Sequence, residues 1–277
     1  MPADCHMHMV LDGVYWRSAI DRHIQGPEEG FIRQTLAQYQ ALGYTYLRDG
    51  GDRWGVGQRA RELAPEYGIV YRTPLAPLCM EGHYGSFIGK TYRDLREYAR
   101  LVEQTRADGA DFIKIMISGL MDFNRAGVLT EPGLPSEIIH QLIHIAHEEG
   151  MSVMAHANGA QTVIAAAEAG VDSVEHGAYQ NAESLAAMEA AGTIWVPTLS
   201  TIGNLRGKGR FPESQVQAIL ENCLQSLSGY NGLVAAGTDA GAWAVPHGSD
   251  TELTLLAQAC ITPQRLADGL DSVIKKF

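Results

Sequence analysis

The sequence predicts an α/β fold, a (β/α)8 TIM barrel occupying residues 1–277 as a single domain. Two observations carry this. Short β-branched or apolar runs alternate with longer stretches rich in Ala, Leu, Glu and Gln, the signature of repeated βα units and a parallel sheet. Several of those stretches end on a glycine just before the next run, at Gly150, Gly170 and Gly192, where a left-handed cap closes a helix. The length fits one barrel, since such folds commonly take about 250 residues.

The eight strand candidates follow in order. The first is ADCHMHMVL, the second YTYLRDG and the third IVYRTPLAPL. DFIKIMISG, SVMAHAN and SVEHGAY supply the fourth to sixth, and TIWVPTLS and LVAAGTDAG the last two. Each is followed by helix-compatible sequence. Irregular insertions are expected after strand one (12–30), strand three (79–90) and strand four (120–135), and would roof a site at the C-terminal ends of the strands, where barrels of this kind place their chemistry.

The formal net charge of -11 disfavours nucleic acid and anionic membranes as partners and favours a small-molecule substrate. Cys5, Cys79, Cys223 and Cys260 show neither disulfide nor zinc-ribbon spacing. No apolar run approaches the roughly 18 residues a membrane span needs, and MPADCHMH has no signal-peptide pattern. A cytoplasmic protein, homo-oligomeric by default, is expected.

His6 and His8 stand two apart on the first strand, so both imidazoles face the same side and can grip one ion. Lys114 places an amine between Ile113 and Ile115, where desolvation disfavours the ammonium. A neutral amine can add carbon dioxide and become a carbamate, an anionic two-oxygen ligand able to bridge two ions; the alternative is a lysine that snorkels to the barrel mouth. His156 and His176 occupy equivalent positions on consecutive strands, so one helix between them makes them neighbours. Asp239 ends the eighth strand, either as a turn cap or as the carboxylate that metal-assisted hydrolysis needs for proton transfer. His140, His144 and His147 have the spacing of an outer helix and are not counted as ligands.

In this order HMH, the strand lysine, HAN, EHG and GTDAG resemble the amidohydrolase superfamily along the whole chain. RDGG at 48–51, EHGAY followed by VPTL, and the Pro246-His247-Gly248 stretch resemble the binuclear branch that holds imidazolonepropionase-like enzymes and Xaa-Pro dipeptidases. The resemblance implies two divalent ions, usually zinc: one on His6, His8 and Asp239, the other on His156 and His176, with carbamylated Lys114 shared. It further implies hydrolysis of a carbon–nitrogen bond, as in a dipeptide, an N-acyl amino acid or a cyclic amide, with Asp239 catalytic.

On the same resemblance His83, on the loop after strand three, would contact the substrate. Asn158 and Tyr179, just beyond two ligands, are further substrate-facing candidates, while Asp49 and Glu175 read as groups that orient ligands. Two departures stand out. Family members carry segments before and after the barrel that form a small β-sandwich, which is not expected here, and Asn158 lies where the dipeptidases place a tyrosine nearby. A lactonase or phosphotriesterase on the same binuclear centre, and a non-catalytic metal-binding barrel, are the competing readings; Lys114 argues against a mononuclear deaminase.

Overall fold

A computed structural model describes residues 2–277. The chain folds as a TIM-barrel-like α/β structure whose strands all run parallel in two sheets. The first holds β1 (Ala3–Met7), β2 (Tyr46–Asp49) and β3 (Val70–Arg72) in that order. The second holds β4 (Leu78–Met80), β5 (Lys90–Tyr92), β6 (Ile113–Met116), β7 (Val153–Ala157), β8 (Ser173–His176) and β9 (Ile194–Val196), in the order β5-β4-β6-β7-β8-β9.

Two expected strands take a different form. IVYRTPLAPL is divided: Pro74 and Pro77 cannot donate to a ladder, and Leu75 between them turns with φ at 63°. The first half, β3, pairs with β2 and the second, β4, pairs with β6. The insertion expected at 79–90 is bracketed by a parallel pair, β4 with β5. LVAAGTDAG is not a regular strand. It is nevertheless tied on both sides, with Trp195 N–H donating to the Leu233 carbonyl (2.9 Å) and, on the other edge, Cys5 N–H donating to Ala236 (2.9 Å) and His8 N–H to Ala240 (2.7 Å).

Period-two alternation explains what faces where. Ile113, Ile115 and Ile117 join the core cluster that includes Leu142 and Ile143 of the helix Ser136–Glu148, so Lys114 between them points the other way, into the barrel. Met7 and Met9 likewise enter a core cluster while His6 and His8 line the interior cavity. The lower interior is filled by Phe112, Met154, Ile194 and Val196, against which Val273 and Phe277 of the C-terminal segment pack. His144 sits on the outside of the helix Ser136–Glu148, paired with Glu148, and His147 pairs with Asp172.

Candidate metal centre

The strands and the residues just beyond them deliver six polar side chains to one cavity of about 440 Å³: His6 from β1, His8 just after it, Lys114 from β6, His156 from β7, His176 from β8 and Asp239 from the segment after β9. The four imidazoles form a continuous arc. Ring centroids are 5.4 Å apart for His8 and His6, 5.2 Å for His6 and His176, and 4.6 Å for His176 and His156. Asp239 Oδ1 lies 3.3 Å from His8 Nε2 and 3.6 Å from His6 Nε2. Donor atoms of His6, His8 and Asp239 all fall within 4.8 Å of one another, the only such group of three among the described residues.

The backbone is bent to produce this arc. His176 and Asp239 have φ of 67° and 56°, left-handed values that non-glycine residues seldom adopt and that persist where surrounding structure enforces them. At His176 the enforcement is visible, because Trp195 Nε1–H donates to its carbonyl at 2.9 Å. His8 depends on a glycine: a Cβ at Gly50 would come within 2.1 Å of the His8 ring.

Three of the four imidazoles are oriented by a partner outside the arc. His6 Nδ1 donates to Glu175 Oε2 at 2.8 Å, and Glu175 accepts Arg48 and Ser173 through Oε1. His176 Nδ1 shares a 2.6 Å hydrogen bond with the Thr198 hydroxyl. His156 Nε2 lies 3.2 Å from the Gly119 carbonyl; a carbonyl only accepts, so Nε2 carries the proton and Nδ1 is the bare nitrogen. Asp49 accepts Met9 N–H and the Thr73 hydroxyl, which fixes the chain between His8 and the second strand.

Electrostatics keep the arc in the form that binds cations. Burial lowers the His6 pKa to about 4 and the His156 pKa to about 3, with Lys114 adding to both, and holds His176 well below its ordinary value. Neutral imidazole is the ligating form. Burial raises Asp239, but His6, His8 and Lys114 outweigh it and hold the carboxyl below its ordinary range. Burial likewise brings the Lys114 ammonium down to about 8. Glu175 is pushed up by burial, yet Arg48 and His6 hold it at about 2, so it is a carboxylate.

A model described as the amidohydrolase family matches residues 60–270. The chain belongs to the amidohydrolase family. Among curated relatives, this amidohydrolase is 25% identical to ochratoxinase of Aspergillus niger over 273 residues, covering 84% of this chain and 55% of that protein. The chain thus spans about half the length of the curated relatives it matches. Among solved structures, a Xaa-Pro dipeptidase with bound methionine aligns at a TM-score of 0.73 and 22% identity, covering 99% of this chain and 72% of that one. The A. niger ochratoxinase structure aligns at 0.72 and 23% identity, with 98% and 70% covered. These structural likenesses show the fold.

The three expected substrate contacts lie elsewhere. His83 lies 3.9 Å from Glu131 and is not among the residues lining the cavity. Its neighbour Tyr84 does, with its ring 4.8 Å from that of His156. Asn158 is a fully buried tie: Nδ2 donates to the Gly119 carbonyl, Oδ1 accepts Ala178 N–H, and its own N–H donates to Ser118. Tyr179 packs against the main core cluster rather than the cavity. Aromatic residues missed in the sequence, among them Trp16, Phe123, Phe211 and Trp243, line the cavity together with Arg210.

Proposed function

We propose that this chain is the catalytic barrel, closed by residues 233–240 into a (β/α)8 ring and forming one domain, of a binuclear metal-dependent hydrolase that cleaves a carbon–nitrogen bond. Dipeptides, N-acyl amino acids and cyclic amides are its substrate classes. One observation carries the reading. His6 Nε2, His8 Nδ1, Lys114 Nζ and Asp239 Oδ1 are all buried without a hydrogen-bond partner among the described residues, which costs free energy unless something binds them. Neutral imidazoles, a carboxylate and a desolvated amine form a donor set suited to zinc.

His6, His8 and Asp239 would hold one ion; His156 through Nδ1 and His176 through Nε2 would hold the other. Lys114, its amine adding carbon dioxide to give a carbamate and releasing a proton, would bridge them. When bound, the ions supply a hydroxide nucleophile at neutral pH and polarise the scissile carbonyl. Asp239 takes the proton of the attacking water and passes it to the departing nitrogen. Glu175 keeps His6 in the tautomer whose Nε2 is bare, and the apolar wall excludes bulk water, strengthening each polar interaction inside.

The test is turnover by zinc-loaded chain on a panel of dipeptides, N-acyl amino acids, lactones and phosphotriesters. Preference for the amides supports the reading; turnover confined to lactones or phosphotriesters overturns it.

A further inference from the structure

Outside the six polar residues of the arc, one charged side chain lines the cavity: Arg210. It has no salt-bridge partner among the described residues, although nearby Arg206 pairs with Glu213. Its guanidinium stands 4.4 Å from the Trp243 ring centroid and 5.4 Å from that of Phe211. Stacked this way the group is held in place by cation–π attraction while its N–H donors stay free.

The arrangement around it is built from three loops. Phe123 follows β6, Phe211 follows β9 and Trp243 follows Asp239; their rings sit 5.2 Å (Phe123 to Phe211) and 6.4 Å (Phe211 to Trp243) apart. Trp16 and Phe87, 5.3 Å apart, also line the cavity. A molecule approaching the arc therefore meets aromatic surface and, outside the arc, one unpaired cation among the described residues, on a protein whose net charge of -11 would otherwise repel an anion.

We propose that Arg210 is a specificity-determining residue that receives an anionic group of the substrate, so that the preferred amides carry a carboxylate on one side and a bulky apolar or aromatic group against the wall. This rests on the hydrolase reading above for its biological sense, but the binding itself does not need the metal centre. The guanidinium can grip a carboxylate through two parallel hydrogen bonds, and Trp243 and Phe211 limit the freedom lost in doing so.

The experiment compares N-acetyl-L-phenylalanine with N-acetyl-L-phenylalaninamide by calorimetry on metal-free protein, in wild type and in Arg210→Met, which keeps an apolar stem over Trp243. Arg210 is exposed, so the substitution spares the core. The acid should bind about 10- to 100-fold more tightly than the amide in wild type, as a charge-assisted contact would give. In Arg210→Met the two should bind alike, with the amide unchanged. Equal binding of acid and amide in wild type, or a preference that survives the substitution, overturns the proposal. Turnover of the acid by zinc-loaded protein is read separately: an Arg210-dependent preference without any hydrolysis leaves the anion site standing and removes the amidase reading.

Discussion

His6 and Glu175 meet at 2.8 Å in a region closed to solvent, 169 residues apart in the chain, and Arg48 completes the contact by donating to the other carboxylate oxygen at 2.8 Å. The guanidinium also donates to the Cys5 carbonyl and the Ser173 hydroxyl, and Phe277 stacks beneath it at 4.4 Å. One buried charge pair thus ties β1, β2 and β8 together beside the histidine arc.

Removing Arg48 leaves the Glu175 carboxylate buried without its counter-charge. Arg48→Met should therefore destabilise the fold by about 3–5 kcal/mol, the usual effect of breaking a buried pair on one side. Urea unfolding of metal-free protein measures it, and a loss below about 1 kcal/mol would show that the pair is not what holds these strands.

Gly50→Ala drives a methyl group into the His8 ring, because a Cβ at this position falls 2.1 Å from the nearest ring atom. His8 must move, at a cost of about 1–3 kcal/mol for an overpacked site. The expected result is weaker binding of the ion proposed for His6, His8 and Asp239, measured by competition with a chelator, with less effect on the ion proposed for His156 and His176.

Lys114→Met separates the structural from the chemical role of the lysine. Burial lowers the ammonium pKa to about 8, so the charge is disfavoured in the fold. An apolar chain of similar length should leave metal-free protein at least as stable by urea unfolding, while metal content after zinc loading falls below two ions per chain. A destabilised apo-protein that still takes up two ions would contradict the assignment.

Glu252 gives a pH dependence away from the histidine arc. Burial raises its pKa from 4.5 to about 8, against hydrogen bonds from Ser200 that lower it. The folded protein keeps the proton longer than the unfolded chain, so between about pH 4.5 and 8 the unfolded state binds fewer protons and stability falls as pH rises. The slope from this group is about 1.4 kcal/mol per pH unit. In Glu252→Gln that component should vanish: unfolding free energies of wild type and variant, measured at pH 5.5 and 7.5, should diverge in the variant's favour at the higher pH. Parallel curves would exclude it.

The convergence of these side chains on one cavity is legible in the sequence because strand periodicity decides direction. His6, His8, Lys114, His156 and His176 sit at positions where alternate residues point inward, and all of them line the cavity. Loops carry no such rule. On the loop after β4 the residue lining the cavity is Tyr84 and not its neighbour His83, a distinction that no spacing could make. Arg210, Phe211 and Trp243 lie on irregular segments, so nothing in their order signals that they converge. Asn158 follows a ligand closely, yet its three hydrogen bonds spend it on bracing the backbone. The third strand reads too long in the sequence because Pro74 and Pro77 interrupt its ladder, and the eighth because Asp239 leaves the extended region at φ 56°.

The most direct test is zinc content on protein prepared with excess zinc and bicarbonate, combined with native intact mass. Two ions per chain, with a mass increment for one carboxylate that disappears in Lys114→Met, is the predicted result. One ion or none under saturating zinc, with Lys114 unmodified, would contradict the binuclear centre.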